Sequence, residues 1–227
     1  VPQDFSAGKT VTYTVIAEDG TTKKYVVSIA GSQNFLKYSF DTWVDQHEGL
    51  KNEYWNPAPV DKLSTSNEGA GLLATLGFKG GFPVVEDKDG YSGSSAKLIT
   101  LYTKGAGFGL APAITSGSLF TGSFKTDASD QLNSTKFGIP YTKKPVEIVD
   151  ECSIMAVLYE AVDSEGKEVI LTGHDIASSE YRVAVAVLED GGAKAEWTTF
   201  ELPFNNLDGK SYDMSKSYKL AIVCSSS

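Results

Sequence analysis

The sequence predicts an all-β protein built as a β-sandwich. Short apolar runs are broken about every 8 to 15 residues by Gly, Ser, Asn or Pro, the spacing of strands and turns. Twenty-two glycines and eleven tyrosines suit tight turns and pleated surfaces. No segment repeats at a fixed period, which argues against a propeller or solenoid. At 227 residues and 41% hydrophobic, the chain suffices for one large domain, or a domain plus a fragment, with a real core.

The elements follow in order. VTYTVIA (11–17) places Val11, Tyr13, Val15 and Ala17 on one face, and YVVSIA (25–30) does the same with Tyr25, Val27 and Ile29. Period-two apolarity around Asp19-Gly20 predicts a β-hairpin. Two strands alone are marginal in water, so the hairpin needs a larger partner. AGSQN (30–34) reads as a linker. Strands are then expected near 35–42, 72–78, 95–103, 117–125, 145–149, 152–162, 181–189, 197–203 and 217–224, with a turn of helix near 45–51. CSIMAVLY (152–159) and YKLAIVC (218–224) are apolar on both faces, so both must be covered on two sides. Each holds one of the two cysteines, Cys152 and Cys224, which read either as buried thiols or as a single disulfide.

Twenty-nine acids against twenty bases leave a net charge of −9, and no basic stripe interrupts it. That field repels nucleic acid and anionic membrane surfaces and fits neutral partners such as sugars. No run approaches the ~20 apolar residues of a membrane-spanning helix. The opening at Val1-Pro2, in mid-pattern, reads as a mature or trimmed chain.

NEYWNPAPV (52–60) sets two adjacent aromatics before Pro57 and Pro59. The prolines predict a stiff, extended connector. Such a connector can hold Tyr54 and Trp55 outward as a dock for the C–H faces of pyranose rings. Trp43 adds a third ring, and Asn56, Asp41 and Glu53 can take hydroxyls. The substrate-binding candidates are therefore Trp55, Tyr54, Trp43 and Asn56. The competing structural role is that Trp55 plugs one end of the sandwich with its indole N–H satisfied by a carbonyl. A glycosidase needs two carboxyl groups, about 5–5.5 Å apart for retention or about 6.5–9.5 Å for inversion. Asp41, Asp45, Glu48 and Glu53 cluster near the aromatics and are the catalytic candidates.

Other chemistries find less support. His47 and His174 are the only histidines and lack the spacing of a zinc site or a catalytic triad. GFKGGFP (77–83) lacks the context of a phosphate-binding loop. EDKDG (86–90) reads as an acidic turn; Ca2+ bridging loops is the one cofactor it admits, and none other is expected. TSGSLFTGSF (115–124) and FGIPYTKKP (137–145) read as packing and turn chemistry, with Gly117 and Gly122 allowing close backbone approach or a bulge.

YWNPAPV, GSSAKLIT (93–100), GSLFTGSF, FGIPYTKKP, DECSIMAVLYE (150–160) and YKLAIVCSSS (218–227) occur in one order. That order and spacing resemble the putative carbohydrate metabolism domain of Bacteroides-type secreted proteins. The hairpin resembles the closing strands of immunoglobulin-like modules of such proteins. The resemblance implies the end of an immunoglobulin-like module over 1–31 and a jelly-roll domain, like those of carbohydrate-binding modules, over 32–227. It also implies an exported protein at the cell surface or in the periplasm, lipid-anchored in its precursor. Two departures stand out: a segment usual between KKPVEIV and DECSIMAVLYE is nearly absent, and the chain stops at Ser227 where the family continues. The leading expectation is carbohydrate binding. A glycoside hydrolase is the alternative, and a structural or adhesion module of the cell surface is the second.

Overall fold

The computed structural model describes residues 10–16, 20–28, 36–46, 53–109, 111–145, 147–150, 154–188 and 200–226. The chain divides into two compact units, Val1–Lys37 and Tyr38–Ser227. In the first, β1 (Thr10–Ile16) pairs antiparallel with β2 (Thr22–Ser28). Val11 lies opposite Val27 and Tyr13 opposite Tyr25, so the predicted alternation sets the register.

The second unit departs early from the expected elements. No strand spans 36–42, because Phe40 adopts φ 54, in the left-handed region, and breaks the extended run. Extended structure begins at β3 (Trp43–Asp45) and continues in β4 (Trp55–Pro57) and β5 (Leu63–Thr65). The turn of helix expected near 45–51 falls largely outside the described residues. The strand expected at 72–78 is instead the end of helix α1 (Asn67–Thr75). Ala70, Leu72, Leu73 and Ala74 are strong helix formers, Glu68 stands in the first turn, and no β-branched residue interrupts the helix before Thr75.

The EDKDG turn is also corrected. These residues belong to β6 (Val84–Gly90), which pairs with β7 (Gly93–Leu98) across a register shift between Asp87 and Gly90, and Tyr91-Ser92 makes the turn. The run expected at 95–103 divides between β7 and β8 (Leu101–Tyr102), which pairs with β9 (Ile114–Thr115). β10 (Ser118–Phe124) holds the GSLFTGSF motif. FGIPY, read as a bend, contributes the end of β11 (Thr135–Phe137) and all of β12 (Ile139–Tyr141). A methyl at Gly122 would lie 2.1 Å from the Lys136 carbonyl oxygen, so β10 and β11 approach as closely as they do only with glycine there. The remaining strands are β13 (Glu147–Asp150), β14 (Ile154–Glu160), β15 (Arg182–Val187), β16 (Phe200–Pro203), β17 (Asn205–Asn206) and β18 (Tyr218–Ser225).

The main sheet runs β11-β10-β18-β14-β15-β17, with β5 beside β10 and β12 beside β18, and every pairing is antiparallel. Both faces of β14 are covered, as its apolar composition requires. On one side Val157 and Tyr159 join Phe120, Phe137, Leu171 and Ile176. Burial pushes the Tyr159 phenol well up, and its hydroxyl donates to the Phe137 carbonyl at 2.6 Å. On the other side one end, Leu158 with Tyr218, is capped by Tyr141, Phe204 and Tyr212. The other end, Leu119 with Ile154 and Cys224, is covered by Phe40, Ala96, Leu98 and Leu202. Cys152 lies outside the described residues. The result is an all-β sandwich in which Phe40 and β7 seat an aromatic ribbon beside the core.

Candidate functional site

The ribbon is β3 against β4, with Trp43 opposite Pro57, Val44 opposite Asn56 and Asp45 opposite Trp55. Residues directly opposite in an antiparallel pair share a face, so Trp43, Asp45, Trp55 and Pro57 lie on one side and Val44 and Asn56 on the other. Trp43 and Trp55 are diagonal neighbours on that face, within reach of one ligand across about 7–8 Å. Prolines are tolerated because the ribbon has only two strands, leaving positions that owe no ladder hydrogen bond. The chain continues the pairing at both ends, Gln46 N donating to Tyr54 O and Ala58 N to Thr42 O.

Of the two adjacent rings, only one faces outward. Trp55 is 47% exposed, whereas Tyr54 is 5% exposed and tilts against Phe82 with ring centroids 6.4 Å apart. Consecutive residues of an extended chain point to opposite sides, so a side-by-side dock of Tyr54 and Trp55 is not available here. Tyr54 instead backs Phe82. Asn56 is likewise turned inward, where its side-chain carbonyl accepts the Thr65 hydroxyl and ties β4 to β5. Trp43 is half-buried, its indole N–H donating to the Phe40 carbonyl at 2.9 Å.

Beneath the ribbon, Asn67 opens α1 almost wholly buried. Its amide nitrogen donates to Trp55 O at 2.8 Å and to Val84 O at 2.7 Å, and its side-chain oxygen accepts from Val84 N at 3.0 Å. One carboxamide thus does what a neighbouring strand would do, fixing β4 and β6 at a set separation.

Two carboxylates stand at the same place. Asp41 Oδ1 accepts the Ser94 backbone N–H at 2.9 Å, and Glu86 Oε1 accepts the Ser94 hydroxyl at 2.7 Å. A single serine at the start of β7 therefore holds both acids. Gly93, at φ +93, leaves room for this: a methyl there would lie 2.4 Å from Asp41 Oδ1.

These groups line a cavity of about 390 Å³. Trp43, Trp55, Phe82, Val84 and Val85 give apolar walls, Asn67 lies at the base, and Asp41 and Glu86 supply charge. An apolar, aromatic cavity with a few fixed polar groups is the usual form of a small-ligand site. Here it can pack flat C–H faces and accept hydrogen bonds from hydroxyl or amino groups.

Of the sequence candidates, the fold brings together Asp41, Trp43 and Trp55. Asp45 is exposed on the ribbon across from Trp55 and Glu53 is exposed, neither lining the cavity, and Glu48 lies outside the described residues. Sequence reasoning missed Glu86, Phe82, Val84 and Asn67. The β-branched pair Val84-Val85 was the available signal for β6, but the acidic DKDG that follows masked it. Asp87, the center of the calcium expectation, pairs with Lys97 at 3.7 Å and accepts the Asp89 N–H. Among the described residues no group of three or more His, Cys, Asp or Glu is arranged to hold a metal ion. His174 pairs with Asp130 at 2.8 Å on the surface, and His47 is outside the described residues. Among the described residues no helix is long and apolar enough to cross a membrane.

The chain matches the model of a protein family described as "putative carbohydrate metabolism domain" over residues 32–149 and 147–227. The two matched pieces meet at residues 147–149. A solved structure from Bacteroides thetaiotaomicron, described as a putative glycoside hydrolase, superposes with a TM-score of 0.69 at 28% identity, covering 99% of this chain and 73% of that one. A second, from Bacteroides vulgatus and described in the same words, gives a TM-score of 0.68 at 28% identity, covering 83% of this chain and 87% of that one. No curated protein matches.

Proposed function

The chain belongs to the putative carbohydrate metabolism domain family, and from that premise we propose that the Trp43–Trp55 cavity binds carbohydrate. The observation that carries this is Trp55: a half-exposed indole on a two-stranded ribbon, sharing one cavity with a second indole and two fixed carboxylates. An aromatic ring held by backbone pairing loses little entropy on meeting a flat sugar face, and the carboxylates accept from its hydroxyls. The test is affinity electrophoresis against a panel of soluble polysaccharides. Trp55→Ala is expected to weaken binding by about tenfold or more, a loss typical of a stacking aromatic at a binding site, with an unchanged melting temperature. A variant that binds every retained polysaccharide as the parent does would overturn the assignment.

A second reading is favoured by the carboxylate pair. One serine grips both Asp41 and Glu86 at the cavity, and we read these two as the carboxyl pair in preference to Asp45 and Glu53, which do not line it. In that reading one carboxyl protonates the leaving oxygen and the other attacks or activates water. The description of both solved relatives as putative glycoside hydrolases accords with it. Reducing-end release from the same panel, abolished in both Asp41→Asn and Glu86→Gln, supports hydrolysis; no release by the parent protein rejects it.

The motif order of the sequence leads us to propose an exported protein, at the cell surface or in the periplasm, with residues 1–31 as the end of an immunoglobulin-like module. Surface labelling of the producing cells tests this placement.

A further inference from the structure

We propose that the cavity selects glycan units that are neutral or bear an amino group, and rejects uronate and sulfated units. This rests on the carbohydrate reading above and adds the chemical class of the ligand. Apart from the Trp55 indole N–H, the polar side chains of the cavity are acceptors or are already engaged. Asp41 and Glu86 each spend one oxygen on Ser94, and the second oxygen of each bonds no described residue. Both amide hydrogens of Asn67 are taken by Trp55 O and Val84 O, and the Trp43 N–H is taken by Phe40 O. A ligand must therefore bring donors to meet the two carboxylates, as hydroxyl and amino groups do and carboxylate and sulfate groups do not.

Charge points the same way. Among the described residues no lysine, arginine or histidine lines the cavity, and Lys97 of β7 pairs with Asp87. An anionic unit would face two negative groups with no cation among the described lining residues to neutralise it, within a molecule of net charge −9. An ammonium group, by contrast, would sit against two carboxylates and two indole faces, which attract cations.

The experiment is a glycan array carrying neutral, amino, uronate and sulfated forms of matched backbones. It is probed with the parent protein, with Trp55→Ala to define binding through the cavity, and with the Asp41→Asn/Glu86→Gln pair, all shown folded by circular dichroism. The proposal expects every Trp55-dependent signal on neutral or amino forms, matched anionic forms weaker by about tenfold or more, and that gap largely closed in the Asn/Gln variant. Trp55-dependent binding of a uronate or sulfated form as tight as its neutral counterpart overturns the charge selection and leaves carbohydrate binding standing. A gap that persists unchanged in the Asn/Gln variant also overturns it. Absence of any Trp55-dependent signal overturns the carbohydrate reading, and this inference with it.

Discussion

Strand β14 is paired with β18 from Ile154 to Glu160 and with β15 on its other edge, so backbone ladders hold it from both sides. The ribbon that carries Trp43 and Trp55 has three residues per strand, and its ties to the structure around it run through side chains: Asn67 beneath Trp55 and Thr65 against Asn56. The carboxylates beside it depend in the same way on Ser94. A ladder persists whichever side chain it bears. A ribbon fixed by a few carboxamide and hydroxyl bonds is only as well placed as those residues.

That contrast can be broken at three points. Leu158→Ala, at a fully buried position of β14, should cost about 3–4 kcal/mol by cavity formation, read by urea denaturation, while glycan affinity per folded molecule stays unchanged. An affinity loss there would mean that core and ribbon are not separable. Asn67→Ala should cost about 2–3 kcal/mol, because it leaves Val84 N, Val84 O and Trp55 O buried without their partner. Unlike the core change, it should also weaken glycan binding, since Trp55 loses its support; full affinity in a destabilised Asn67→Ala protein would refute the anchoring role. Gly93→Ala should cost about 1–2 kcal/mol through its left-handed backbone and should displace Asp41. Titration calorimetry against a bound glycan should show this as weaker binding, and unaltered calorimetry would place Asp41 outside the binding surface.

The same contrast decides what could be read from the amino acids alone. β14 and β18 are legible because their apolar residues outnumber what one face could hide, and the hairpin is legible from its alternation. Helix α1 was missed because Leu72, Leu73 and Phe78 imitate a short buried strand, whereas the helix rests on its alanines and on Asn67. The stretch YWN announced aromatics with a special duty, but not which ring turns outward: that follows from pleating, which buries Tyr54 and Asn56 and exposes Trp55. Glu86 was illegible for a different reason. Its closeness to Asp41 spans 45 positions of sequence and is created only when Ser94 bonds both.

That serine grips one acid through its main chain and the other through its side chain. The two acids can therefore be uncoupled chemically: Ser94→Ala releases Glu86 while the amide still restrains Asp41. A substitution at that one hydroxyl thus alters a single carboxylate of the proposed site and leaves its neighbour's backbone tether in place.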